Sequence, residues 1–296
     1  QKALMLLLEG PYRQGTNGTE KSSIVAARPA LDVKKSGPNA GLEIPYDPAL
    51  IIRAQSLLLE DADKLSASRP YRFDLVDVQR QMMTNLGQLI HRKAAEAFRS
   101  KDREAFTLHS GRFLGMLADM DTLLRTRSEY SFDRWLTEAR SWGETEEEKN
   151  QMERDATSLV TIWGADGDPR IFDYSWREWA GLINGYYLPR WQKFYTMLQQ
   201  HLDEGTSYEE AGLPQIYGRE AFRANDFYHT LAEWELSYVD TYGKARIPAT
   251  EGDEVDIVKR LFKKYFKLSQ EYYTDSIKLI KPSRDERTYE NLGEDL

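Results

Sequence analysis

From Asp47 onward, apolar residues return every three to four positions, the period of amphipathic helices. Asp47-Pro48 is a start signal, an aspartate cap followed by a proline at the first helical position, and Leu50, Ala54, Leu57, Leu58 and Leu65 form the buried stripe behind it. A second helix follows Arg69-Pro70, with Phe73, Val76, Met83, Leu86, Leu89 and Ile90 inward, and continues to Ala97-Phe98. Ser100-Lys101-Asp102 breaks it, and Phe106, Phe113, Leu117, Met120 and Leu124 mark a third. Ser131-Phe132-Asp133 opens a short helix ended by Gly143, and Thr145 with Glu148 is a capping box for a helix reaching Val160. Asp173 or Ser175 caps a long helix striped by Trp176, Trp179, Ala180, Ile183, Tyr187, Phe194, Leu198 and Leu202, with Pro189 inside as a kink. Two more stripes run from Phe222 to Tyr242 and from Val255 to Tyr273. No stretch reads as a strand, and there is no exact repeat. The expected fold is all-α, a single-domain bundle of about seven helices over residues 47–281.

Residues 1–46 are different. Ala3–Leu8 reads as the last turns of a helix stopped by Gly10-Pro11 and lacking its own cap, which suggests a chain cut from a longer polypeptide. After it, glycines and prolines punctuate an irregular linker, long enough that it should be functional or packed on something. Asn17-Gly18-Thr19 matches the glycosylation acceptor pattern, a match too common by chance to carry weight in a loop. Residues 282–296 form a charged tail.

Composition narrows the class. The formal charge of −8, with both signs interspersed, argues against a nucleic-acid binder, which needs a basic face. The absence of cysteine removes disulfides, zinc-thiolate sites and a thiol nucleophile. Four scattered histidines (His91, His109, His201, His229) supply no metal-ligand spacing, and no metal or cofactor is expected. No apolar run approaches the roughly twenty residues that span a bilayer.

Four of the seven tryptophans fall between Leu159 and Trp191, around a turn rich in Gly, Asp and Pro. Trp163 sits where a helix meets that turn. An indole there can stack on the apolar face of a pyranose, or it can simply close the core. Asp166, Asp168 and Asp173 lack the spacing of a calcium loop and read as turn formers. Asp74, Asp77 and Arg80 share a helix face, where an ion pair explains them. Glutamates are many, and no spacing marks two as acid and base. No phosphate loop, dinucleotide fingerprint or nucleophile elbow occurs. By its residues alone, the chain is a helical binding or scaffolding domain with an aromatic surface.

Trp163-Gly164, Asp173-Tyr174, Trp179-Ala180-Gly181-Leu182, Tyr186-Tyr187 and Pro189-Arg190-Trp191 together resemble the C-terminal helical region of the α-N-acetylglucosaminidase family of glycoside hydrolases. Tyr71–Gln81, the stretch from Phe113 to Leu124, and the run from Leu6 through Pro11-Tyr12 to Arg28-Pro29 fit the same pattern, in order. The resemblance implies an enzyme of three parts, with a small N-terminal domain, a barrel carrying both catalytic glutamates, and this all-α region. It implies retaining removal of terminal α-linked N-acetylglucosamine from a glycan, a secreted or periplasmic location, and no catalytic residue in this chain. Residues 1–46 would then be the link out of the barrel. Trp163 and Ile171 match pocket-lining positions, while Tyr174 and Arg190 match supporting ones. Trp176, Trp179 and Trp191 are expected in the core by helical phase. The competing reading is a stand-alone helical module that binds a protein or glycan without catalysis.

Overall fold

The computed structural model describes residues 1–12, 23–37, 41–163, 172–210, 225–241, 243–244 and 250–273. Among these, ten α-helices are present: α1 (Lys2–Leu7), α2 (Ala49–Glu60), α3 (Ala62–Leu65), α4 (Arg69–Arg99), α5 (Arg103–Leu124), α6 (Phe132–Arg140), α7 (Glu146–Leu159), α8 (Leu188–Glu204), α9 (Asp226–Val239) and α10 (Glu254–Tyr272). No strand occurs among the described residues; the extended contacts are two isolated bridges, Lys35 with Gly41 and Ser131 with Ala180. The fold is all-α, as the periodicity predicts. Asn17, Ile171, Phe222, Tyr242 and the charged tail lie outside the described residues.

The chain divides into two compact units. The first takes residues 1–18, 44–89 and 251–296, the second residues 19–43 and 90–250, so α4 contributes to both. In the first unit, Asp47 Oδ1 accepts from the Ala49 amide and closes the start of α2. The buried face of α2 is Ile51, Ile52, Ala54, Gln55 and Leu59, displaced from the expected stripe; Leu65 is exposed. Leu50 lies instead against Gly10, where α1 has ended in a π-type turn holding Pro11. Asp77 and Arg80 form the expected ion pair along α4. Tyr71 reaches back from α4 to the Leu58 carbonyl, and α10 buries Val258, Leu261, Phe262 and Tyr265.

The second unit holds α5 to α9 and the end of α4. Asp102 and Ser131 cap α5 and α6 with their side chains. The Thr145–Glu148 capping box of α7 is present in both directions. The long helix expected over residues 175–202 is not formed. Residues 176–179 have no regular structure, a π-helical turn occupies Ile183–Tyr187, and α8 follows from Leu188 with Pro189 in its first turn. The π-turn passes into α8 without a break, with right-handed backbone at Leu182, Tyr187 and Leu188, so Pro189 lies inside a helical run as expected, and the irregularity beside it is the π-turn. The cap of this segment is supplied from elsewhere: Asp121, on α5, accepts from the Gly181 and Asn184 amides at 2.6 and 3.2 Å. Trp176 and Trp179 are half-buried ahead of the helix rather than in the core; Trp191 alone of the three is fully buried.

A strap from the linker, residues 23–31, is irregular yet buried against these helices. Its carbonyls are answered by side chains: Trp191 Nε1 donates to Val25 O, Arg190 Nη2 to Ala26 O and the Tyr228 hydroxyl to Pro29 O. Irregular backbone can be buried only when its polar groups are paired in this way.

Candidate functional site

The site is the root formed by Ile162-Trp163 and Phe172-Asp173-Tyr174. α7 ends at Leu159, and the Trp163 amide turns back to bond Ser158 O at 2.8 Å. Trp163 takes a left-handed backbone, φ 47°, a conformation usually left to glycine at helix ends. Asp173 is left-handed too, φ 56°, and its amide donates to Thr161 O at 2.7 Å. Left-handed backbone at a bulky residue costs roughly 1–2 kcal/mol and persists where surrounding contacts over-determine it. Here they do. Ile162 and Phe172, the residues just before Trp163 and Asp173, lie in one apolar cluster with Ala232, Leu236 and Val239 of α9.

Below this root lies a buried ionic network. Arg190 Nη1 donates to both Asp173 oxygens, at 3.1 and 3.0 Å, and to Glu235 Oε1 at 3.0 Å. Arg28 Nη2 donates to Glu235 Oε2 at 3.0 Å. Two guanidiniums thus balance two carboxylates, all four side chains being buried. Burial pushes the Asp173 carboxyl up to about 6 against the pull of Arg190. For Arg190, burial alone favours the neutral form, but Asp173 and the other groups around it outweigh that and hold it protonated. The Arg190 guanidinium also lies 4.6 Å from the Tyr186 ring centroid, a cation–π contact in a dry site.

Above the root, two aromatic rings meet. The Trp163 and Tyr174 centroids are 4.8 Å apart with planes at 54°. Trp163 is half-buried and Tyr174 is 41% exposed. The pair forms an apolar corner carrying an indole N–H and a phenol, the combination that stacks on one face of a sugar and hydrogen-bonds at its edge. Asp173 lies in a turn, one of its two expected roles, and its side chain anchors the corner through Arg190. Tyr174, expected as support, presents its ring beside Trp163. Ile171, the other expected lining residue, lies outside the described residues.

Arg28 and Glu235 were not legible as site residues. One signal was present in the sequence: an arginine at 190, set among Tyr186, Tyr187, Trp191 and Phe194, implies a buried cation that needs a buried anion. Among the described residues, the other buried glutamates of this unit, Glu153 and Glu178, are engaged. Glu178 accepts from the Ser23 hydroxyl, and Glu153 binds Arg140 and the Lys244 amide. Among the described residues no three His, Asp or Glu are placed to hold a metal ion, and no helix is long and apolar enough to cross a membrane.

The comparisons give the family. A family model described as the α-N-acetylglucosaminidase (NAGLU) C-terminal domain matches residues 1–264. Human α-N-acetylglucosaminidase is 30% identical over 270 residues, covering 89% of this chain and 33% of the human protein. Among solved structures, the family 89 glycoside hydrolase from Clostridium perfringens with 2-acetamido-1,2-dideoxynojirmycin superposes with a TM-score of 0.75 at 24% identity, covering 92% of this chain and 29% of that one. CpGH89 from Clostridium perfringens, a doubly substituted form in complex with its substrate GlcNAc-α-1,4-galactose, gives 0.74 at 24% identity over 94% of this chain and 30% of that one. These two support the fold. The chain belongs to the α-N-acetylglucosaminidase C-terminal domain family, and it spans about a third of the length of the curated relative it matches.

Proposed function

We propose that this chain serves as the C-terminal helical part of a retaining α-N-acetylglucosaminidase, buttressing the barrel and lining one wall of its sugar pocket. The Trp163–Tyr174 corner carries this reading. It is a solvent-facing aromatic pair held on strained backbone, and backbone strain of that kind concentrates at functional sites. In this role Trp163, with Ile171 and Tyr174, packs against a terminal α-linked N-acetylglucosamine and leaves proton transfer and nucleophilic attack to glutamates outside this chain. The buried glutamates Glu153, Glu178 and Glu235 are tied to partners, which agrees with a supporting part rather than a catalytic one. Residues 1–46 then lead out of the barrel, and the protein works in a secreted or periplasmic compartment.

The test is kinetic. In the enzyme carrying this chain, Trp163→Ala is expected to raise KM about tenfold toward an aryl α-N-acetylglucosaminide, with kcat changed less and the melting temperature nearly kept. Wild-type kinetics with a large fall in melting temperature would return Trp163 to a packing role. Purified alone, the chain is expected to show no turnover, and robust hydrolysis by it would sink the claim that the acid and nucleophile lie elsewhere.

A further inference from the structure

We infer that Arg28, in the buried strap, is a positioning residue for the Trp163–Tyr174 corner, acting on it through Glu235 and Phe172. The inference rests on the reading of that corner as a sugar-facing wall. Its basis is two converging contacts. The Arg28 guanidinium lies 4.8 Å from the ring centroid of Phe172, the residue immediately before Asp173. The same guanidinium donates to both Glu235 oxygens, at 3.4 Å from Nε and 3.0 Å from Nη2.

The charge balance explains why this matters at the turn. Arg190 Nη1 is shared by Asp173 and Glu235. With Arg28 present, Glu235 has its own cation, and Arg190 can serve Asp173 with two contacts. Without it, one guanidinium faces two buried carboxylates, the imbalance that buried ion clusters tolerate least. Glu235 then competes for Arg190, and Asp173 loses the contact that holds its left-handed backbone. Tyr174 follows Asp173 directly, so a shift there reaches the aromatic pair.

Arg28 is itself held in place. Its neighbour Pro29 accepts from the Tyr228 hydroxyl at 2.8 Å, and Ala26 accepts from Arg190 at 2.9 Å. The Tyr228 ring centroid lies 5.0 Å from the guanidinium. A strap fixed on both sides of Arg28 can hold one geometry of the turn, some 145 residues away in sequence, because the contacts leave Arg28 little freedom to follow a displaced Phe172.

The test uses the enzyme carrying this chain. Arg28→Gln removes the cation that balances Glu235 and the guanidinium plane over Phe172, while keeping a polar side chain of similar reach. It is expected to raise KM about fivefold with kcat within about twofold, the split of a misplaced binding wall rather than a damaged reaction centre. In a Trp163→Ala background the same substitution is expected to add nothing further to KM, since its route to the sugar is gone. A wild-type KM with a lowered melting temperature, or an equal KM factor in both backgrounds, overturns the inference and leaves the sugar-wall reading standing. A wild-type KM for Trp163→Ala by itself overturns the reading and the inference together. Should Arg28→Gln fail to fold, Tyr228→Phe decides by the same criteria. It keeps the ring and removes the strap's hydrogen bond at Pro29 together with the one between the Tyr228 and Tyr208 hydroxyls, and is expected to raise KM about twofold, an effect likewise absent without Trp163.

Discussion

Asp173 and Arg190 form a buried pair in which one guanidinium nitrogen reaches both carboxylate oxygens, at 3.0 and 3.1 Å, while the aspartate backbone stays left-handed at φ 56°. Asparagine tolerates that backbone as well as aspartate does. Asp173→Asn therefore tests the charge apart from the conformation. Near pH 7.5 the carboxyl, held at about 6, is mostly ionised. Removing one partner of a buried pair leaves the other uncompensated, at a cost of about 3–5 kcal/mol. The expected result is an unfolding free energy, measured by urea titration, lowered by an amount in that range. A loss under about 1 kcal/mol would show that Glu235 alone satisfies Arg190, and that Asp173 does not anchor the turn.

Gly37 meets the same anchor from the other side. Its φ is +73°, and a Cβ built there would lie 2.7 Å from the Asp173 carbonyl oxygen. Gly205, which ends α8 at φ +70°, has nothing within 4 Å of the same position. Gly205→Ala is expected to cost only the left-handed penalty, about 1 kcal/mol. Gly37→Ala adds a collision with backbone that no side-chain rotation relieves, so its loss of melting temperature should be at least twice as large. Equal losses at the two glycines would mean that the contact between Gly37 and Asp173 is slack.

The elements that could be read in advance are those whose signals are local. The 31-residue α4, the capping box at Thr145 and the stripe of α5 depend on spacing and on caps within a few residues, and each formed where the pattern put it. The segment before α8 could not be read that way. Its apolar spacing through Trp176, Trp179 and Ile183 imitates a helix, but its cap comes from Asp121, some 60 residues upstream. The π-turn also lets Gly185 approach the Tyr238 hydroxyl, where a Cβ would stand only 3.1 Å away. The aromatic corner was half legible. Trp163 was marked by its position at a helix end, whereas Asp173 and Tyr174 were hidden because their roles depend on Arg190, Glu235 and Arg28. The Arg28–Glu235 contact joins residues 207 positions apart, and no local pattern announces it.

Acid should stabilise this domain at Glu210, against common intuition for a carboxylate that accepts hydrogen bonds. Its oxygens face the Leu31 and Asp32 amides of the strap. Burial pushes the carboxyl up to about 7, and those two amides pull it down less strongly. Because the folded value is raised, the folded state binds the proton more tightly than the unfolded chain does. The resulting stability is complete below the ordinary glutamate value and is lost as pH rises through about 7. His91 acts in the opposite sense: burial lowers it to about 4, so its share is present above the ordinary histidine value and is lost as pH falls toward 4. The two contributions overlap at mildly acidic pH, and a wild-type profile alone would blend them. Comparison with Glu210→Gln separates them, since His91 is common to both proteins. The melting temperature of the wild type minus that of the variant is expected to be largest near pH 4.5 and to shrink steadily up to about pH 8. A difference that grows with pH would mean that the two strap amides, rather than burial, govern this carboxyl, and that Glu210 grips the strap as an anion.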